Sequence, residues 1–405
     1  MQRAIIFAGL MVFAMGQTIL FALLGPAARE MGFDEWQVGA IISTSAVVFV
    51  AISALWGRIA DRWGRKNTIV TGLLGYSIST FLFAWLLNLG IEGTLVAGTA
   101  FAALIAARVA YSLTTSGIQP AAVALMADLT SSEDRSAGVA AVGAAFGLGT
   151  VLGPALAFAV VEFGLLTPLW LAAGAALVIA GLAARFVKDP PRRESEDPSS
   201  ADDMPDLRTL APFLMLGLGT FIAIAAIQQT MAFYIQDFTG ADALETAKLA
   251  GNAFVVLALA SLAVQGGIVQ RLKPSPFKML SVGFPIAAAG IAIAALAPTY
   301  WIIVVGFGVM GAGFGLVQPG ISAIVSLATG AQAQGKAAGY VQAAMAGGFV
   351  IGPLAGTLIY PLTPSAPLWL ALACCAACYA VFLWIAKRQG TEKEPIPDDG
   401  SKLAE

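Results

Sequence analysis

Long apolar runs alternate with short polar or Gly/Pro punctuation along almost the whole chain. Twelve of these runs are long enough to cross a hydrocarbon core of about 30 Å as helices rising about 1.5 Å per residue. They cover residues 4–28, 37–57, 67–89, 95–126, 137–161, 167–187, 209–236, 246–270, 277–297, 300–327, 337–360 and 367–387. The first run has no small-residue cleavage site, so it reads as a retained helix and not a leader. The fold class this predicts is an all-α integral membrane protein with twelve transmembrane helices.

The polar interruptions then set the organisation. "KDPPRRESEDPSSADDMPDLR", residues 188–208, is the one long polar stretch before the tail. It reads as a flexible cytoplasmic linker between an N-terminal six-helix bundle, residues 1–187, and a C-terminal one, residues 209–387. Residues 388–405 form a polar cytoplasmic tail. An internal repeat supports the division. At an offset of 199 residues Gln119-Pro120 falls on Gln318-Pro319 and Gly149, Gly153 and Pro154 fall on Gly348, Gly352 and Pro353. A second offset pairs Gln17-Thr18 and Phe21 with Gln229-Thr230 and Phe233. Parallel six-helix repeats predict a transporter whose site lies between the halves.

Composition narrows the chemistry. The chain is 58% hydrophobic and 11% charged, against about 25% charged in a soluble domain. A net charge of -2 without a basic stripe gives nucleic acid nothing to follow. Histidine is absent, which excludes histidine general bases, Ser-His-Asp triads and histidine metal sites. Cys374, Cys375 and Cys378 share one apolar run and read as packing residues, so no metal or cofactor is expected. No nucleophile, base and metal constellation suggests an enzyme. Of the 22 lysines and arginines, all but Arg29, Lys248 and the intramembrane Arg108 fall on one side when spans alternate. That bias puts both termini in the cytoplasm.

Basic residues cluster in "WGRIADRWGRK", Trp56 to Lys66. Topology explains Arg58, Arg62, Arg65 and Lys66 but not Gly57, Asp61 and Gly64. The stretch resembles the signature between helices two and three of the major facilitator superfamily, matching it at Gly57, Asp61, Arg62, Gly64, Arg65 and Lys66. Arg108 stands where the superfamily's helix-four arginine stands, and "GLGTVLGP" is similar to the helix-five signature of its antiporters. The resemblance implies the two-bundle major facilitator fold and, more narrowly, the twelve-helix drug/proton antiporter branch of multidrug or tetracycline-type exporters. It also implies that Asp61 and its arginine neighbour latch the N-half to the cytoplasmic end of helix eleven in the outward-facing state. Gln270 replaces the aspartate in the second-half counterpart, so the latch is expected on one side only.

Further site residues follow from helical spacing. Arg108, Ser112, Thr115 and Gln119 share one face, expected to line the central cavity because a charge inside a span is costly toward lipid. The repeat sets this polar wall opposite Phe307, Phe314 and Gln318. Gln17, Gln228, Gln229, Met231, Gln342, Met345 and Phe349 complete a wall suited to a flat amphipathic ligand. The paired Gly-x-x-x-Gly-Pro runs are close-packing faces with a kink. The expected activity is export of small, largely apolar or amphipathic compounds across the cytoplasmic (inner) membrane by a monomer using the proton gradient. A same-fold carrier of a sugar or organic anion, and a membrane sensor or channel, remain alternatives. Asp61, Asp128 and Glu162 are the candidate proton carriers, because helix one offers Gln17 in place of an acid.

Overall fold

The computed structural model describes residues 1–130, 135–189, 207–328 and 334–391, and side-chain packing for a slightly smaller set. Most of linker 188–208 and of tail 388–405 lies outside the described residues, as do the side chains of Arg135, Arg208 and Lys336. All twelve expected spans are helical. They are α1 (Gln2–Glu30), α2 (Glu35–Trp63), α3 (Arg65–Ile91), α4 (Ala97–Thr115 continued by Ile118–Asp128), α5 (Arg135–Val160) and α6 (Thr167–Phe186). The second half has α7 (Leu207–Thr239), α8 (Ala243–Ala263, extended to Leu272), α9 (Pro276–Ala295), α10 (Tyr300–Ala328), α11 (Gln334–Ile359) and α12 (Ala366–Thr391). There is no strand among the described residues. The helices form two bundles of six, joined by α1 against α7 and α8, α2 against α11 and α5 against α8.

One expectation changes. The charged stretch is not a loop, because α2 runs six residues past its apolar run to Trp63 and α3 starts at Arg65. Gly64 is the whole connection, at φ 107° and ψ 139°. That backbone region is open in practice only to glycine. The Asp189 carboxylate also occupies the place a Cβ would take, and accepts the Lys66 backbone N–H at 2.8 Å. In the second half Lys273 makes the equivalent joint in the left-handed helical region, at φ 44° and ψ 51°. Ahead of it α8 widens into a π-helical turn at Val264–Val269.

Helix α4 breaks at Ser116-Gly117. Thr114 and Thr115 each bond back to the Tyr111 carbonyl, at 3.0 and 2.8 Å, a habit that bends helices. The Leu113 carbonyl accepts the Trp56 indole N–H at 2.6 Å, so the first residue of the charged stretch holds the break.

The two ends of the bundle differ. In α2 the residues from Val38 to Ser45 are nearly all buried or half-buried, whereas from Val47 to Trp63 an open face appears. In α8 the change comes after Phe254, and in α5 and α11 the burial falls on the residues around and beyond the Gly-Pro pairs. Among the described residues the contacts between the halves gather at the far face, and the helix ends on the face carrying the chain termini are more exposed.

Candidate functional site

The repeated glycines pack each half internally, and the prolines beside them meet the other half. Gly149 and Gly153 press α5 onto the Met11 and Met15 carbonyls and Thr18 of α1. Gly348 and Gly352 press α11 onto α7, where a Cβ would lie 2.7 Å from the Phe221 carbonyl carbon and 2.8 Å from the Ile222 oxygen. The next contact crosses the seam between the halves. Gly39 of α2 lies on Pro353 and Thr357 of α11, its missing Cβ 2.9 Å from the Pro353 oxygen, and Gly251 of α8 lies on Pro154 and Phe158 of α5 at 3.2 Å. Gly39 and Gly251 are related by the offset that pairs Gln17 with Gln229. Their spacing from any motif hid them from the sequence reading.

At the far face two ion pairs close the same seam. Arg29 of the first half bonds Asp237 of the second at 2.5 and 3.0 Å and Glu35 at 2.7 Å, and stacks 4.9 Å over the Phe233 ring. The Tyr360 hydroxyl donates to Asp237 at 2.6 Å. Lys248 of the second half pairs with Glu162 of the first. The signal was present in the charge pattern, since Arg29 and Lys248 are the two cations that oppose the orientation rule. Being a quarter to a third exposed, the Arg29–Asp237 pair is worth about 1 kcal/mol. Arg29→Ala should therefore open the seam roughly fivefold more often. Faster labelling of a cysteine at buried Ala232, by an impermeant thiol reagent and in a background free of native cysteines, is the expected result.

The face carrying the termini holds the rest of the glycine-aspartate-arginine stretch. Asp61 is 70% exposed and lies 3.8 Å from Arg65, which is anchored to Asp128 and, at 3.0 Å, to the Ala124 carbonyl of α4. A Cβ on Gly57 would meet nothing within 4 Å. The sequence model of the Major Facilitator Superfamily matches residues 6–292 and 276–405, nearly the full chain.

The chain belongs to the major facilitator superfamily.

It is thus a multi-pass membrane transporter and not an enzyme. Its similarity to "Multidrug resistance protein 1" of Bacillus subtilis (strain 168) is 24% identity, covering 91% of this chain and 92% of the relative. With "Quinolone resistance protein NorA" of Staphylococcus aureus (strain MRSA252) it is 22%, covering 92% and 93%. Among solved structures, a bacterial homolog of the human lysosomal transporter Spinster, inward-facing and occupied, superposes with a TM-score of 0.75 at 14% identity, covering 98% of both chains. The nucleoside transporter NupG (D323A mutant) gives 0.71 at 13%, covering 95% of this chain and 100% of that one.

Within this superfamily fold the polar face of α4 departs from expectation. Arg108, Ser112 and Thr115 are buried inside the first half, and the break separates them from half-buried Gln119. Ser112 bonds Ser45 of α2, and Arg108 stacks 4.3 Å over the Tyr111 ring. The arginine lies against aromatic rings, whose π faces offset part of its desolvation. Phe307 and Met231 are likewise core, Phe307 edge-on to Phe254, and Phe314 and Gln229 are buried too. Large apolar side chains at those positions gain more by packing than by lining open space. Gln17, Gln228, Gln318, Met345 and Phe349 are half-buried and Gln342 is exposed. Cys375 and Cys378 are buried, the latter against Gly219 of α7. The acids Asp128 and Glu162 are engaged in ion pairs at opposite ends of the bundle.

Proposed function

We propose that this transporter exports small, largely apolar or amphipathic compounds from the cytoplasm in exchange for protons, as a monomer with both termini inside. The observation that carries the reading is the one-ended seam. Taking the termini as cytoplasmic, which the bias of basic residues favours, the more exposed end faces the cytoplasm and the Gly–Pro contacts and ion pairs close the outside. This is the state in which an exporter loads. The half-buried or exposed Gln17, Gln228, Gln342, Met345 and Phe349 combine amide and thioether or aromatic side chains, which suits a flat apolar body with a few polar groups. Relatives named for multidrug and quinolone resistance favour the same direction. Burial of Arg108 argues against an organic-anion carrier that draws its cargo to that residue.

Proton exchange rests on the family resemblance and has a direct test. In sealed inverted vesicles energised to an acid interior, adding a transported lipophilic cation should release protons in proportion to its uptake, and several unrelated compounds should compete. Uptake that leaves the proton gradient unchanged, or a response confined to one chemical series, would remove the coupling or the breadth of substrate respectively.

A further inference from the structure

A small cavity lies wholly within the first half, between α1, α3 and α4, with space of about 10 Å³ for a water-sized sphere. Arg108, Tyr76, Tyr111, Ser79, Thr80 and Gly16 line it. Three of its polar atoms, Arg108 Nε and the hydroxyls of Tyr76 and Tyr111, are buried and make no well-aligned hydrogen bond, although Tyr111 lies beside Arg108 and Thr115 and Tyr76 beside Thr80. All three residues are nearly inaccessible, at 6%, 1% and 3% exposure. Each of the three is a hydrogen-bond donor, and all three residues line the same space. None of the residues around the cavity is an acid, and Arg108 has no ion pair among the described residues.

These facts set a charge problem that packing leaves open. An arginine stays protonated at any ordinary pH, and a buried cation without a counter-charge is expensive. The Tyr111 ring, 4.3 Å away, and the Phe83 ring, 5.9 Å away, offset only part of that cost. A water would satisfy the donors but leave the charge. A carboxylate-bearing substrate exceeds the space.

We propose that this cavity binds one halide-sized monovalent anion, such as chloride, held by Arg108 Nε–H and the two tyrosine hydroxyls as the arginine's counter-ion. Gly16 is part of the site, because a Cβ there would sit 2.6 Å from Tyr76 Cζ and closer still to the hydroxyl. The bound anion ties α3 to α4 through a single point, with α1 closing over it at Gly16.

The test uses the purified full-length protein in detergent at constant ionic strength. Replacing gluconate by chloride or bromide should raise the midpoint of thermal unfolding saturably. Tyr111→Phe and Tyr76→Phe should each weaken the half-saturating halide concentration about tenfold, and Arg108→Gln should abolish the response. In crystals grown from bromide, an anomalous peak beside Arg108 Nε is expected. Equal stability in chloride and gluconate, or an undiminished halide response in the tyrosine variants, would overturn the proposal even if Arg108→Gln fails to fold.

Discussion

Valine at both Gly39 and Gly251 should cut transport at least tenfold while the protein still accumulates in the membrane. Each glycine lies where a helix of one half crosses a helix of the other. At Gly39 a Cβ would come within 2.9 Å of the Pro353 oxygen, with the Thr357 hydroxyl nearer still. At Gly251 it would sit 3.2 Å from both the Pro154 oxygen and the Phe158 nitrogen. Overpacking such contacts costs about 1–3 kcal/mol per site. The penalty falls on the seam, because the interior of each bundle is untouched. The closed far face becomes rarer and the cycle stalls with that face open. The check is substrate flux together with far-face labelling at Ala232Cys, which should rise as flux falls. Normal flux would mean that the glycines are incidental to closure.

The second large effect is expected at Asp61. Its side chain is 70% exposed at the open end, so Asp61→Asn should change the thermal stability of the state seen here by less than about 0.5 kcal/mol. Transport should nevertheless fall more than tenfold. The family resemblance gives this aspartate a partner on α11, whose N-terminus at Gln334 lies on the same face of the bundle and carries the positive end of a helix dipole. By the same resemblance that meeting belongs to the outward-facing state, in which the terminal face is closed. The open space beside Gly57, one helical turn earlier, is consistent with a surface that another helix occupies in the opposite state. Retained transport in Asp61→Asn would dismiss the latch, and a large loss of stability would reduce it to a folding residue. The conservative Asp61→Glu change should restore part of the flux.

The topology was legible because bilayer crossing is a local demand: each span must be apolar over its own length, so each run announces itself. The end of α2 was not, since hydropathy stops reporting once a helix leaves the membrane, and only Gly64 interrupts the backbone. Gly57, Asp61 and Gly64 stood out because orientation did not require them. Arg108 was legible as a costly charge inside a span, but its burial against aromatic rings was not. Periodicity states which residues share a face, but the direction of that face depends on α1 and α3, whose Gly16 and Tyr76 are far away in sequence. The burial of Phe307 and Met231 was hidden too, because a large apolar side chain on a helix looks the same whether its neighbour is another helix or open space. The crossing glycines were illegible from one helix alone, since each is defined by a carbonyl in the other half.

The reciprocal crossing has a consequence for how such a chain comes to exist. The first half offers Gly39 and Pro154, the second Gly251 and Pro353, so each half carries both a notch and the ridge that fills it. A surface holding both members of its own contact is self-complementary, as in a symmetric homodimer. Two copies of one six-helix ancestor would already have had this seam before any linker joined them. Duplication and fusion then needed to invent no new interface. What differs between the halves are features found on one side only: aspartate at 61 against glutamine at 270, and arginine at 108 against phenylalanine at 307.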